Sequence, residues 1–143
     1  MSALFQKFMQ VNAAGVEVSS EIATETVSVT TTGSAGTATG SAVSGELNGF
    51  LLDIYLDFHA SAPATTDTTI AHTEPTMGNI LVVSNSATDA LITPRAKAVD
   101  SANAAITNSH DKVPLDGTVT ISLAECDALT NALVARIRYL RTV

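Results

Sequence analysis

The chain has 143 residues, 45% of them hydrophobic and 15% charged, and carries a net charge of −7 from 14 acidic and seven basic side chains. This length and apolar content suit one folded domain with its own core, and they exclude an intrinsically disordered chain. The acidic balance argues against a nucleic-acid binder, which needs clustered Lys and Arg to meet phosphates, and the single cysteine, Cys126, excludes an intramolecular disulfide and fits a reducing cytosol.

In chain order, residues 1–25 lack clean alternation, and the opening "MSALFQKFMQ" has no continuous apolar run of the kind a signal peptide carries. Leu4, Phe5, Phe8 and Met9 would cluster on one side of a short helix, which either packs locally or forms an arm lying on a neighbouring subunit. "TETVSVTTTG" alternates Val27 and Val29 with Thr and Ser, a strand pattern that Gly33 ends. "GTATGSAVSG" reads as a weak strand or ordered loop, with a flexible Gly/Ser linker as the alternative. The clearest strand is "LNGFLLDIYLDF", with Phe50, Leu52, Ile54, Leu56 and Phe58 on one face and Asp53, Tyr55 and Asp57 on the other. "TTDTTIA", "NILVVSN" and "TVTISL" follow, bounded by Pro63, Pro75, Gly78, Asn85 and the Asp116-Gly117 pair. The segment from Leu133 to Leu140 alternates Leu133, Ala135, Ile137 and Tyr139 with Arg136 and Arg138, which favours a final strand over the helix that Leu129, Leu133 and Ile137 would also allow. No stretch approaches the roughly 20 apolar residues of a membrane helix. Short strands at regular spacing predict an all-β, single-domain antiparallel β-sandwich over 26–143, jelly-roll-like or Ig-like, preceded by an N-terminal arm over 1–25.

The stretch "DFHASAPATTDTTI" sets Asp57, His59 and Ser61 within five residues. On one strand face these neighbours would stand ~6.5–7 Å apart, whereas a nucleophile, base and orienting acid need successive hydrogen bonds of about 2.6–3.2 Å. The stretch therefore reads as a strand end and a turn, with no catalytic residue assigned. His59, His72 and His110 are far apart in sequence and Cys126 has no partner cysteine nearby, so neither a metal site nor a cofactor is expected. Asp53 and Asp57 share a strand face and could meet a calcium ion, though such a pair usually serves solubility. The glycines of "TTGSAGTATG" match no phosphate-binding motif.

The ordered series "GFLLDIYLDF", "APATTDTTI", "GNILVVSNSATDALITPR" and "PLDGTVTISL" resembles small β-rich virion proteins encoded in the structural-gene clusters of tailed bacteriophages. The resemblance rests on Thr65, Thr66 and Asp67, on Thr88 and Asp89, on Pro94 and Arg95, and on a Pro114-x-Asp116-Gly117 hairpin. It spans about two-thirds of the chain, Gly45 to Leu140, and departs from the group where Leu91 and Ile92 stand in place of aromatic residues. It implies a head decoration, or cement, protein on the capsid exterior, made in the host cytoplasm. Its partner would be the major capsid protein, and such proteins are commonly homo-oligomers, often trimers. On this reading Leu4, Phe5, Phe8 and Met9 belong to a candidate arm, and Arg95, Arg136 and Arg138 are candidate salt-bridging positions. A head–tail connector or tail subunit, and a host-surface carbohydrate-binding module, are the alternatives. With 4% aromatic residues and no Trp, the chain offers few stacking platforms for sugars.

Overall fold

The computed structural model describes residues 20–142 together with the short stretches 10–11 and 17–18. Leu4, Phe5, Phe8 and Met9 lie outside the described residues. The strands are β1 (Gln10–Val11), β2 (Glu17–Val18), β3 (Ser20–Val29), β4 (Ala38–Val43), β5 (Leu47–Phe58), β6 (Asp67–His72), β7 (Asn79–Val83), β8 (Ala90–Ile92), β9 (Ala96–Val99), β10 (Ala105–Asp111), β11 (Pro114–Gly117), β12 (Val119–Cys126) and β13 (Leu133–Thr142). Among the described residues a single 3-10 turn, Pro75–Met77, interrupts them. The final strand expected from Leu133 is present, and the Gly/Ser/Thr-rich stretch is an ordered strand, β4.

Two sheets form the sandwich. The first has the order β11-β5-β13-β3, with β8 beside the far half of β5, and the second has the order β4-β12-β6-β7. Setting aside the two-residue strands and the β8 to β10 insertion, the first principal strand pairs with the last (β3 with β13) and the second with the seventh (β4 with β12). The third pairs with the sixth (β5 with β11) and the fourth with the fifth (β6 with β7), every pair antiparallel. This is the pairing of one long hairpin rolled over on itself, which decides for the double-sheet jelly roll over an Ig-like arrangement. Strand β3 begins at Ser20, so residues 20–25 belong to the first sheet and not to a preceding arm.

The core lies between the sheets. Leu133, Ala135, Ile137 and Tyr139 of β13 and Leu47, Leu51, Ile54 and Leu56 of β5 face Ile70 of β6 and Val119, Ile121 and Leu123 of β12. Removing these side chains from water supplies the main driving force for closing the sandwich.

The alternation anticipated along β5 breaks in the middle. Arg138 stands opposite Asp53, but Tyr139 stands opposite Leu51, so Leu52 is an extra residue in β5. Such a bulge shifts the strand's side-chain phase by one position. Ile54, Leu56 and Phe58 point inward as expected, whereas Leu47 and Leu51 take the inward role before the bulge and Phe50 turns out to solvent, 43% exposed. Gly49, at φ 147°, lies where the β13 backbone comes close.

The Pro114–Gly117 segment also differs from expectation. It is not a hairpin turn but strand β11, paired residue for residue with Phe50 to Leu47. Gly117, at φ 97°, then lets the chain cross to the opposite sheet and begin β12.

One buried group in the second sheet lacks a partner. The Thr68 hydroxyl on β6 is buried and makes no hydrogen bond with any of the described residues. A buried polar group left unpaired costs about 1–3 kcal/mol, so Thr68→Val is expected to raise stability by about 1 kcal/mol. Urea unfolding would measure it; a lower midpoint in the variant would show that the hydroxyl contributes favourably where it is.

Candidate interaction surface

Cross-strand register assigns the outward face of the first sheet row by row. Leu91, Tyr55, Arg136 and Thr26 form one row across β8, β5, β13 and β3. Asp53, Arg138 and Thr24 form the next, and beyond the bulge Pro114, Phe50, Leu140 and Ile22 form an apolar row across four strands. Ile22 is 65% exposed and Phe50 is 43% exposed, so this row faces solvent.

The arginines on this face are matched by carboxylates of the same chain. Arg136 Nη1 donates to Asp57 at 3.2 Å, and its guanidinium sits 5.7 Å from the centre of the Tyr55 ring. Arg138 engages Asp53 with two hydrogen bonds, one from Nε at 2.8 Å, and Arg141 pairs with Glu21. The hydrogen bonds from Arg138 hold the Asp53 carboxyl below its ordinary range; burial opposes them, and the charges of Arg138 and Arg95 reinforce them.

A depressed folded-state pKa contributes stability above the unfolded value, about 3.9 for Asp, and that contribution is lost as pH falls through the folded value. Asp53→Asn is therefore expected to lower the thermal midpoint at neutral pH, with the gap to the native chain closing in the acid range below about 4. Thermal melts across pH would check this; a gap that stays constant with pH would exclude the ion pair as its cause.

Three other cations lie together elsewhere. An insertion between β8 and β11 forms the two-stranded ribbon β9–β10, closed by a turn in which the Asp100 carboxylate accepts the N–H groups of Ala102 and Ala104 at 2.8 and 2.9 Å. The pairing is irregular, with Asn108 at φ 59° inside the register shift. Between this ribbon and the sheet runs an open groove of about 970 Å³. Phe50, Pro114 and Leu140 from the apolar row line the sheet side, and Ala96, Ala98 and Val99 line the ribbon side. Arg95, Lys97, Lys112 and His110 also line it, together with Asp111. Among the described residues, Arg95, Lys97 and Lys112 form no ion pair with a carboxylate; Arg95 instead donates to the backbone carbonyls of Pro94 at 2.9 Å and Leu52 at 3.3 Å.

The residues singled out in the sequence are thus dispersed. Asp57 is held by Arg136, while His59 lies in a turn just past the end of β5, where its Nδ1 accepts the Ser61 backbone N–H at 3.0 Å. Thr66 closes the next turn by donating its hydroxyl to the Pro63 carbonyl at 2.7 Å, and the Asp67 carboxylate accepts the Asn85 N–H. His72 is buried, its ring nitrogens facing the carbonyls of Pro114 at 2.9 Å and Gly78 at 3.3 Å, and His110 sits on the exposed ribbon. Among the described residues no group of three or more His, Cys, Asp or Glu side chains is placed to hold a metal ion. Cys126 is a buried free thiol.

Of the candidate arginines, Arg136 and Arg138 share the outward face of β13, as alternation predicts, and Arg95 lines the groove. Sequence reasoning overlooked Lys97 and Lys112. The signal was available: Arg95, Lys97 and Lys112 fall within one segment that a hairpin folds back on itself, although Lys112 stands 15 residues from Lys97 in the sequence. Comparison with protein-family models, with curated proteins and with solved structures returned no match.

Proposed function

We propose that this chain is a structural virion protein that attaches to the exterior of a tailed-phage capsid and stabilises it by clamping adjacent major capsid subunits. The observation that carries this reading is the β9–β10 ribbon. Six of the seven residues of β10 are exposed, and among the described residues the ribbon is paired with no third strand. A two-stranded ribbon with so little buried surface is marginal alone, and it gains order by lying against another surface. The resemblance of the stretches around Thr65, Thr66 and Asp67, around Thr88 and Asp89, and around Pro94 and Arg95 to small phage virion proteins supports the same role, although Pro114–Gly117 is a strand and not the hairpin of that pattern. Jelly rolls are a recurrent viral architecture.

The chemistry of such a clamp is noncovalent and multivalent: each added contact acts at a high effective concentration once the first is made. The net charge of −7 favours the outer capsid surface over the lumen, where packaged DNA would repel the chain. The proposed role is structural, not enzymatic. A carbohydrate-binding reading is less well supported, because of the two outward aromatic rings on the first sheet Tyr55 lies under the Arg136 guanidinium and is not free to stack on a sugar.

The decisive experiment incubates the purified protein with heads that lack it, sediments the particles and follows heat-induced DNA release. Saturable binding with a higher release temperature is the expected result. Absence of binding to mature heads, with association to tails or formation of rings instead, would transfer the protein to the connector or tail.

A further inference from the structure

We infer that the groove between the β9–β10 ribbon and the first sheet receives an extended acidic peptide segment with apolar anchors. That this segment belongs to a capsid subunit rests on the function proposed above; the chemistry of the occupant rests on the groove alone.

Three features define that chemistry. The floor is the exposed row of Pro114, Phe50 and Leu140, continued by Ile22, which is a contiguous apolar strip on a sheet face. The rim carries Arg95, Lys97 and Lys112 against the single carboxylate of Asp111. In a chain with twice as many acidic as basic residues, the contrast between the two sets of described cations is informative. Arg136, Arg138 and Arg141 are paired internally, whereas the three that are not all line one groove. Its volume, about 970 Å³, gives room for several residues of extended chain. Carboxylates on such a segment would meet the rim while its apolar side chains cover the Phe50 strip, combining steering by charge with burial of apolar area.

Other occupants fit less well. A nucleic acid would bring a dense line of phosphates to a molecule of net charge −7, which opposes binding outside the groove itself. A second copy of this chain has most of its described carboxylates engaged: Asp53, Asp57 and Glu21 are matched by arginines, and Glu25, Asp67, Glu74, Asp89, Asp100 and Asp127 accept backbone N–H groups.

The test uses backbone amide NMR of the full chain titrated with a soluble synthetic peptide of Glu, Leu and Gly, with a Gln-for-Glu version, oligo-glutamate and a DNA duplex as controls. Saturable shifts centred on Phe50, Ala96 and Ala98 are expected, weakened at least about tenfold by Lys97→Glu combined with Lys112→Glu and reduced by salt. Both substituted lysines are exposed, and the spectrum itself reports whether the variant is folded. The Gln version and oligo-glutamate should each bind more weakly, because one lacks the charge and the other the anchors.

Absence of shifts, shifts centred instead on Arg136 and Arg138, or equal binding of the DNA duplex would overturn the inference. So would groove shifts that grow with protein concentration alone, which would assign the site to a second copy. Sedimentation with heads separates the two proposals. Undiminished head binding by the double variant removes the groove from the contact, whereas native protein that binds the peptide but no heads removes the capsid and leaves the groove.

Discussion

Replacing Gly49 by alanine is expected to destabilise the fold by about 3 kcal/mol or more, read as a large drop in the urea midpoint of the purified variant or as failure to accumulate in soluble form. Two independent costs combine. At φ 147° an L side chain is strained whatever the surrounding space, and a methyl carbon here would lie 2.9 Å from the Leu140 carbonyl carbon and closer still to its oxygen. That oxygen belongs to the backbone of the neighbouring strand, so relief requires β5 and β13 to separate just where the bulge has set their register. Gly36 is the control. Its φ of 76° is also positive, but nothing lies within 4 Å of the added carbon, so Gly36→Ala should cost only about 1–2 kcal/mol. Equal losses at the two positions would show that backbone strain, and not the approach of β13, sets the penalty.

Ile137→Ala is the second substitution with a large expected effect, about 3–4 kcal/mol within the range for deleting a buried Ile side chain. Ile137 is 1% exposed and sits on the strand flanked by β3 and β5, with Ile54 as its cross-strand neighbour. Because strands on both sides hold its backbone, the site has little freedom to collapse around the missing atoms, and the cavity term adds to the lost transfer energy. Ile22→Ala, on the outward face at 65% exposure, should stay within about 0.5 kcal/mol. Chemical denaturation of both variants gives the comparison; a loss at Ile137 below about 1 kcal/mol would mean that the core repacks freely.

The parts of the fold that could be read from sequence are those where one side chain in two is apolar and the other polar. The second half of β5, together with β6, β12 and β13, shows this, because each has one buried face and the pattern is the direct consequence of burial. The first half of β5 misled for a physical reason. Phe50, Leu51 and Leu52 are all apolar, so two phases fit equally well locally, and the choice falls to long-range pairing with Tyr139 and to the glycine at position 49. The Pro114–Gly117 segment has turn-forming residues, yet pairing with β5 overrides local preference. The ribbon was missed because six of the seven residues of β10 are exposed and the less exposed positions of β9 are Ala96 and Ala98, side chains too small to mark a face in the sequence. The groove was illegible for a related reason: it joins residues from β5, β9, β10, β11 and β13, and nothing local announces that meeting.

The place of β13 also governs when the protein can fold. It lies between β3 and β5, hydrogen-bonded to both along most of its length, so those earlier strands have no shared partner until residues 133–142 have been synthesised. The β3–β13 contact alone joins Val29 to Leu133. Closing loops of that length before any reward is slow, and topologies dominated by such contacts fold in milliseconds to seconds. Until β13 is available β3 has no partner in the first sheet and β5 lacks one of its neighbours, so the first sheet closes only after this strand has been made, whereas β5 with β11 and the second sheet can pair before it.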